Sequence, residues 1–214
     1  MRFPVSASAA LALLGLPLAS HALDGITDSK GDFLATFAGS SNSHDLDVLA
    51  ASVFYNPTTD VFTLTATLDG APGSTSTGFY VWGVNRGAGT AGFASLGVTG
   101  VRFDRVIILR PDLTGTIGGV GALPAGSVKV SGNVITGTIS GSLLPSTGFT
   151  NKLDYTFNLW PRDGAFTGNA AISDFAPNNA NFTATPVPEP ASAALLLGGL
   201  GLVAFLRWRR QSNS

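Results

Sequence analysis

The chain has 214 residues, of which 44% are hydrophobic and 12% are charged, and its formal net charge is −1. So weak a charge provides no concentrated basic face, which argues against nucleic acid as a partner. The chain has no cysteine, which excludes a disulfide framework, thiol catalysis and any Cys-based metal site.

The first 22 residues have the pattern of a secretory signal peptide. Arg2 supplies a positive start, residues 7–18 are almost wholly apolar, and Ser20 and Ala22 place small residues at the −3 and −1 positions of a cleavage site. The apolar run is shorter than the ~20 residues that cross a bilayer. We therefore predict a signal peptide helix over residues 1–22, with Sec-dependent export across the inner membrane and cleavage by signal peptidase.

Residues 23–185 are predicted to form one domain, which is long enough to bury a core. It contains twelve Asp, no Glu, five Arg and three Lys, a net charge of −4. Apolar and polar residues alternate most clearly from Phe62 to Leu68, which is typical of a half-buried strand. Asn56–Asp60, just before it, predicts a hairpin loop.

Further strands are predicted at similar intervals along the domain. Their ranges are Leu46–Tyr55, Phe79–Asn85, Arg102–Arg110, Val128–Val130, Val134–Ser140 and Leu153–Trp160, with shorter pieces at Phe33–Phe37 and Ala170–Phe175. The domain has no sustained 3.6-residue apolar period. This pattern predicts an all-β fold, namely an antiparallel, jelly-roll-like β-sandwich, with a closed barrel as the alternative.

Two groups of side chains are candidate binding sites. Oxygen ligands for a structural calcium ion are available from Asp28, Asp32, Asp45 and Asp47, although Asp also caps turns without any metal. Rings for stacking on a sugar are available from Tyr80, Trp82 and Trp160, with Arg86 as a polar neighbour. The alternative for these aromatic residues is burial in the core.

No catalytic residue is predicted. His44 is the one histidine of the domain, beside Asp45 and Asp47, but no G-x-S-x-G nucleophile elbow accompanies it. A zinc site is disfavoured, because such sites take three or four N or S ligands. A secreted hydrolase is therefore the least favoured function, and we expect no enzyme.

The C-terminal 28 residues form a three-part pattern. A Pro-rich hinge over residues 186–190 contains Pro188, Glu189 and Pro190, and is followed by an apolar segment over residues 191–206. The basic tail, residues 207–214, contains Arg207, Arg209 and Arg210. The apolar segment predicts a transmembrane helix with the tail in the cytoplasm and the main domain outside. Its 16 residues cover about 24 Å, short of the ~30 Å hydrocarbon core, so the prediction requires bilayer thinning and snorkelling of Arg207, Trp208 and Arg209 to the interface.

This order of Pro-Glu-Pro, apolar stretch and arginine cluster resembles the PEP-CTERM sorting signal of Gram-negative bacteria. The resemblance implies processing by an exosortase, a membrane transpeptidase, and delivery to the cell surface or extracellular matrix. It also implies transient membrane anchoring and surroundings rich in exopolysaccharide. The expected function is a structural or adhesive role in a biofilm matrix, with a carbohydrate-binding module as the alternative.

Overall fold

The computed structural model of the protein describes residues 25–187. Within this range the chain forms fourteen strands and five short 3₁₀ turns. The strands are β1 (Ile26–Thr27), β2 (Val48–Asn56), β3 (Val61–Leu68), β4 (Gly78–Asn85), β5 (Thr90–Phe93), β6 (Val98–Phe103), β7 (Arg105–Leu109), β8 (Gly115–Ile117), β9 (Gly121–Ala122), β10 (Val128–Ser131), β11 (Val134–Ser140), β12 (Thr156–Asp163), β13 (Phe182–Thr183) and β14 (Thr185–Pro186). The 3₁₀ turns are His44–Leu46, Ala94–Leu96, Gly141–Leu143, Lys152–Asp154 and Gly168–Ala171.

The strands form two six-stranded sheets and one separate hairpin. Sheet A has the order β1-β2-β3-β11-β10, and β14 lies beside β2. Sheet B has the order β13-β12-β4-β7-β8-β9, and β5 pairs with β6 in the hairpin. All pairings are antiparallel except that of β14 with β2. The predicted all-β, antiparallel class is therefore confirmed.

One hydrophobic core is shared by the two sheets. The alternation in β3 places Phe62, Leu64, Ala66 and Leu68 on the buried face, as predicted. The Phe62 ring lies 5.8 Å from that of Phe157 in β12, so residues of sheet A contact residues of sheet B. Burial of these apolar side chains is the main stabilising contribution, at about 1.5–3 kcal/mol for each large side chain.

The outer face of sheet B is covered by the β5–β6 hairpin and by the segment that follows β12. The Trp160 ring lies 5.0 Å from both Phe93 and Phe103 of the hairpin. Gly83 on the neighbouring strand makes room for this ring, since a Cβ there would approach it to 2.4 Å. The middle of sheet B, at β4 and β12, is therefore buried on both faces, whereas Val106 and Ile108 on the outer face of β7 are half-buried.

Four sequence predictions about strands need correction. Residues 33–37 and 170–175 form turns and irregular segments instead of strands. The two segments are in contact, since Leu34 N donates to Ser173 O at 2.8 Å. The strand predicted over Arg102–Arg110 is broken at Asp104. Residues 152–154 form a 3₁₀ turn, so the last long strand starts at Thr156.

No helix within residues 25–187 is long and apolar enough to cross a membrane. The predicted signal peptide helix and the predicted transmembrane segment over residues 191–206 lie outside the described residues.

Candidate metal centre

Three separate parts of the chain bring four carboxylates together. Asp28 and Asp32 lie in the loop that follows β1, Asp47 directly precedes β2, and Asp174 lies in the segment that follows β12. We call these four residues the acidic cluster. One ligand oxygen each from Asp28, Asp32 and Asp174 can be chosen so that all lie within 4.8 Å of one another.

Backbone hydrogen bonds hold the N-terminal loop against β2. Ile26 pairs with Ala51, and Asp28 N donates to Leu49 O at 2.9 Å. The loop then turns through Gly31, whose φ of +79° favours glycine, and Gly31 N donates to Asp47 Oδ2 at 2.8 Å. The loop therefore folds back on the carboxylate of Asp47.

Asp174 is fixed by two backbone donors. It is fully buried, and its two oxygens accept hydrogen bonds from Val48 N at 3.1 Å and Phe175 N at 2.6 Å. Nearby, Asn178 Nδ2 donates to Asp32 Oδ2 at 3.1 Å. The segment 173–178 is thus joined both to the start of β2 and to the N-terminal loop.

Several oxygens of the acidic cluster are buried without a protein donor. These are Asp28 Oδ2, Asp32 Oδ1 and Asp47 Oδ1. Among residues 25–187, no Lys, Arg or His forms an ion pair with any carboxylate of the cluster, and Lys30 instead contacts Asp69 at 2.6 Å. A buried anion without a partner is costly, so this arrangement favours a bound cation or bound protons.

The electrostatics of the cluster favour the protonated carboxyl in the absence of metal. Burial, with the negative charge of Asp32, raises the pKa of Asp28 to about 6. Burial, with the charges of Asp28 and Asp32, raises the pKa of Asp174 to about 8. Burial also raises the pKa of Asp47, against the lowering effect of the Gly31 hydrogen bond. A cation that replaced these protons would neutralise the same charges.

Of the four residues predicted as calcium ligands, Asp28 and Asp32 lie in one group with Asp174, and Asp47 lies beside that group. Asp45 is turned away from the cluster, and its carboxylate accepts hydrogen bonds from Thr75 N at 2.9 Å and Thr75 Oγ1 at 2.7 Å. Asp45 therefore caps a loop, and including it as a calcium ligand was wrong. Asp174 takes its place; no local pattern marks this residue, which lies 127 positions beyond Asp47.

The residues predicted as a sugar platform are buried. The exposed fractions are 0% for Tyr80, 0% for Trp82, 2% for Trp160 and 3% for Arg86. Because a ring without an exposed face cannot stack on a sugar from solvent, the platform prediction is corrected to a packing role. Tyr80 OH donates to the backbone oxygen of Asp45 at 3.0 Å, which satisfies its polar end.

His44 is not part of the acidic cluster. Its Nδ1 lies 2.6 Å from Asp69 Oδ2, and the other oxygen of that carboxylate contacts Lys30 Nζ. The carboxylates of Asp45 and Asp47 are engaged elsewhere. Within the described range, the ring of His44 is therefore hydrogen-bonded to a single aspartate.

The described chain ends at the start of the sorting signal. Pro186 lies in β14 and pairs with Tyr55, and Val187 N donates to Tyr55 O at 3.1 Å. The first residue of the predicted hinge is therefore part of sheet A. The residues predicted for sorting (Pro188, Glu189, Pro190, Arg207, Arg209 and Arg210) and for signal cleavage (Ser20 and Ala22) lie outside the described range.

Comparison with known proteins identifies the C-terminal segment. A family model for the PEP-CTERM protein-sorting motif matches residues 186–211, a range that includes the Pro-Glu-Pro element and the arginine cluster. No curated protein and no solved structure matches the chain. The match confirms the resemblance seen in the sequence and implies processing by an exosortase. The chain is therefore an exported protein that carries a PEP-CTERM motif, the signal for sorting to the cell envelope.

Proposed function

We propose that the mature protein is a non-enzymatic structural or adhesive component of the cell surface or extracellular matrix in an exopolysaccharide-producing Gram-negative biofilm. The sorting motif supports delivery to the envelope. In this proposal a jelly-roll-like β-sandwich is the scaffold, and the C-terminal apolar segment anchors the chain in the inner membrane only until an exosortase processes it.

The observation that carries the proposal is a hydroxyl-rich outer face on sheet A. We call it the threonine face, and its half-buried or exposed residues are Thr63, Thr65, Thr67, Thr136 and Thr138. Strand register aligns them across β3 and β11, with Thr65 opposite Thr136 and Thr63 opposite Thr138. Side chains on one face of a strand repeat about every 7 Å, and neighbouring strands lie about 4.8 Å apart. The threonine face is thus a regular array of hydroxyl groups.

Such a face suits a neutral or weakly charged polysaccharide. Hydroxyl groups both donate and accept hydrogen bonds, so they match the hydroxyl groups of sugar chains without selecting one sugar. The face also differs from sheet B, whose outer side is covered by the β5–β6 hairpin. Lys129 brings a positive charge beside Thr136, which adds attraction to an acidic polymer.

The test is retention in the extracellular matrix. Strains expressing the full-length chain with Thr65→Glu or Thr136→Glu are compared with the unmodified strain after washing of the matrix at low and high salt. An unsatisfied charged group at a contact costs about 1–3 kcal/mol or more, so retention should fall by roughly 5-fold or more. Thermal unfolding of each variant checks that its domain is folded.

Thr90→Glu is the matched control, because Thr90 is exposed on the β5–β6 hairpin, away from sheet A. It introduces the same charge at another β position and should leave retention unchanged. If Thr90→Glu and Thr65→Glu lower retention equally, the threonine face is not the contact surface. Full retention of both threonine-face variants would lead to the same conclusion.

A second candidate function is discrete carbohydrate binding at a surface groove of about 520 Å³. The groove is lined by Phe79, Arg110 and Asp112 among other residues, and the guanidinium carbon of Arg110 lies 5.7 Å from the centre of the Phe79 ring. A half-buried ring beside charged hydrogen-bonding groups suits one sugar unit. On a glycan array, this function predicts loss of binding in Arg110→Gln and full binding in Thr65→Glu.

A further inference from the structure

Two chain ends of the domain meet at the acidic cluster. The loop that carries Asp28 and Asp32 is the N-terminal end, and the segment 173–178 precedes the last two strands before the sorting motif. They already touch through two hydrogen bonds, from Leu34 N to Ser173 O at 2.8 Å and from Asn178 Nδ2 to Asp32 Oδ2 at 3.1 Å. The cluster also includes Asp47 at the start of β2.

An acidic cluster alone does not identify a metal site, but Asp47 adds an independent observation. Its side chain is 1% exposed, and one of its oxygens binds Gly31 N inside the loop that carries Asp28 and Asp32. The other oxygen, Oδ1, is buried without a partner. Buried oxygens of Asp28 and Asp32 share this condition. Asp28 and Asp32 belong to the group of three carboxylates that lie within 4.8 Å of one another, and the unpartnered oxygen of Asp47 is buried beside that group, which favours a positive ligand.

We propose that Asp28, Asp32 and Asp174 bind one calcium ion beside the buried carboxylate of Asp47, and that this ion ties the N-terminal loop to the segment 173–178. The donors are all oxygens, which disfavours zinc and favours a hard cation. Two oxygens on opposite sides of a calcium ion bound at about 2.4 Å are about 4.8 Å apart, and one carboxylate oxygen each of Asp28, Asp32 and Asp174 lies within 4.8 Å of the others. Magnesium requires near-ideal octahedral geometry at 2.0–2.1 Å, whereas calcium tolerates irregular sites of six to eight oxygens.

The ion would act on the stability of the exported domain. Extracellular calcium modules bind with dissociation constants of about 10⁻⁴–10⁻³ M, so a site in this range fills outside the cell and not in the cytosol. Export would therefore precede the final tie between the two ends. This inference is separate from the adhesive role, because it concerns the stability of the domain and not its contact surface.

The test measures thermal unfolding of the full-length chain in detergent micelles by tryptophan fluorescence, with chelator, with 10 mM CaCl₂ or with 10 mM MgCl₂. At about 10–100 times the dissociation constant, calcium should raise the Tm by about 3–10 °C. Titration calorimetry should give one site for each chain. If calcium leaves the Tm unchanged, or if magnesium gives an equal rise, the proposal is overturned.

Asp28→Asn is the informative variant. It removes one charge from the cluster while its amide can donate to a neighbouring carboxylate, so it should raise the Tm in chelator and abolish the calcium response. Asp45→Asn is the control, because Asp45 is an aspartate of the same region that is fully buried and bound to Thr75 instead of to the cluster. It should lower the Tm in both conditions and keep the calcium response. Equal calcium responses in the two variants would refute the assignment.

Hydrogen exchange tests whether the ion joins the two ends. The amides of Gly31, Val48 and Phe175 donate to carboxylates of the cluster and report on all three chain segments. Calcium should slow exchange at all three by about 10-fold or more, since opening is suppressed by the factor 1 + [L]/Kd. Protection of Gly31 without protection of Phe175 would show that the ion binds the loop but does not tie it to the segment 173–178.

Discussion

Arg86→Met tests whether Arg86 is a structural residue or a sugar-binding one. Its side chain is 3% exposed, and its Nε donates to Asp104 Oδ1 at 2.7 Å. Its Nη1 donates to Pro145 O at 2.9 Å, which fixes the loop that follows β11. Met fills similar space but offers no donor, so the variant removes both hydrogen bonds and leaves the carboxylate of Asp104 without its cation.

The loss in free energy of unfolding should lie at the low end of the range for a broken buried ion pair, which is about 3–5 kcal/mol. Asp104 keeps hydrogen bonds from Thr147 Oγ1 at 2.5 Å and from the backbone nitrogens of residue 86 and Ala88 at 3.2 Å. Burial favours a higher pKa for Asp104, but the hydrogen bonds from Thr147 and Arg86 hold it below its ordinary value. We therefore expect a loss of about 3 kcal/mol, or a fall in Tm of about 6–12 °C for a domain of this size.

Urea titration and thermal unfolding of the two full-length chains measure this loss. Arg102→Met is the control, since Arg102 is exposed and its Nε contacts Gly89 O at 3.3 Å. That variant should stay within about 0.5 kcal/mol of the unmodified protein. The reasoning is refuted if Arg86→Met costs less than about 1 kcal/mol, which is the level of a solvent-screened surface pair. Unchanged stability with loss of glycan binding would restore Arg86 as a sugar contact.

Three further results are expected from unfolding measurements. Trp160→Ala should lower the free energy of unfolding by about 3–5 kcal/mol in urea titrations, because the ring is buried between sheet B and the β5–β6 hairpin. A loss under 1 kcal/mol would contradict this packing. In chelator, stability should fall as the pH rises from 6 to 8, because the raised pKa of Asp174, about 8, lets the folded state keep a proton that the unfolded state has released. The slope is at most about 1.4 kcal/mol for each pH unit, and calcium should cancel it; a flat or rising profile in chelator would count against the buried carboxyl. Truncation after Val187 should lower the free energy of unfolding by less than about 0.5 kcal/mol. Truncation after Asn181 removes β13 and β14 with the packed ring of Phe182, so it should lower the free energy of unfolding by about 1.5–3 kcal/mol. Equal stabilities of the two truncated chains would show that these strands contribute nothing.

Much of the strand pattern could be predicted from the sequence, because alternation is a local property. The buried positions of β3 follow directly from the residues between Phe62 and Leu68. The failures are short apolar pieces such as residues 33–37, where a turn brings the rings of Phe33 and Phe37 into a stack 5.8 Å apart. Apolar residues in such a piece can contact the core from a turn as well as from a strand. In so short a piece, the spacing of apolar residues does not distinguish a turn from a strand.

Only part of the candidate metal site could be predicted. Asp45 and Asp47 are two residues apart and look equivalent in the sequence, yet one binds Thr75 and the other binds Gly31. The 3₁₀ turn over His44–Leu46 directs them to different loops. The burial of Trp160 likewise depends on the β5–β6 hairpin, whose position over sheet B no local pattern indicates.

By itself the sequence determined the all-β class and the C-terminal sorting signal, because both depend on local composition, period and order. The tertiary structure alone decided which aspartates meet and which aromatic rings are buried, because these properties depend on contacts between distant segments. The hydrogen bond from Val48 N to Asp174 Oδ2 joins residues 126 positions apart, and the acidic cluster exists only once that contact has formed. The core and the backbone hydrogen bonds hold these carboxylates close together although their negative charges repel one another.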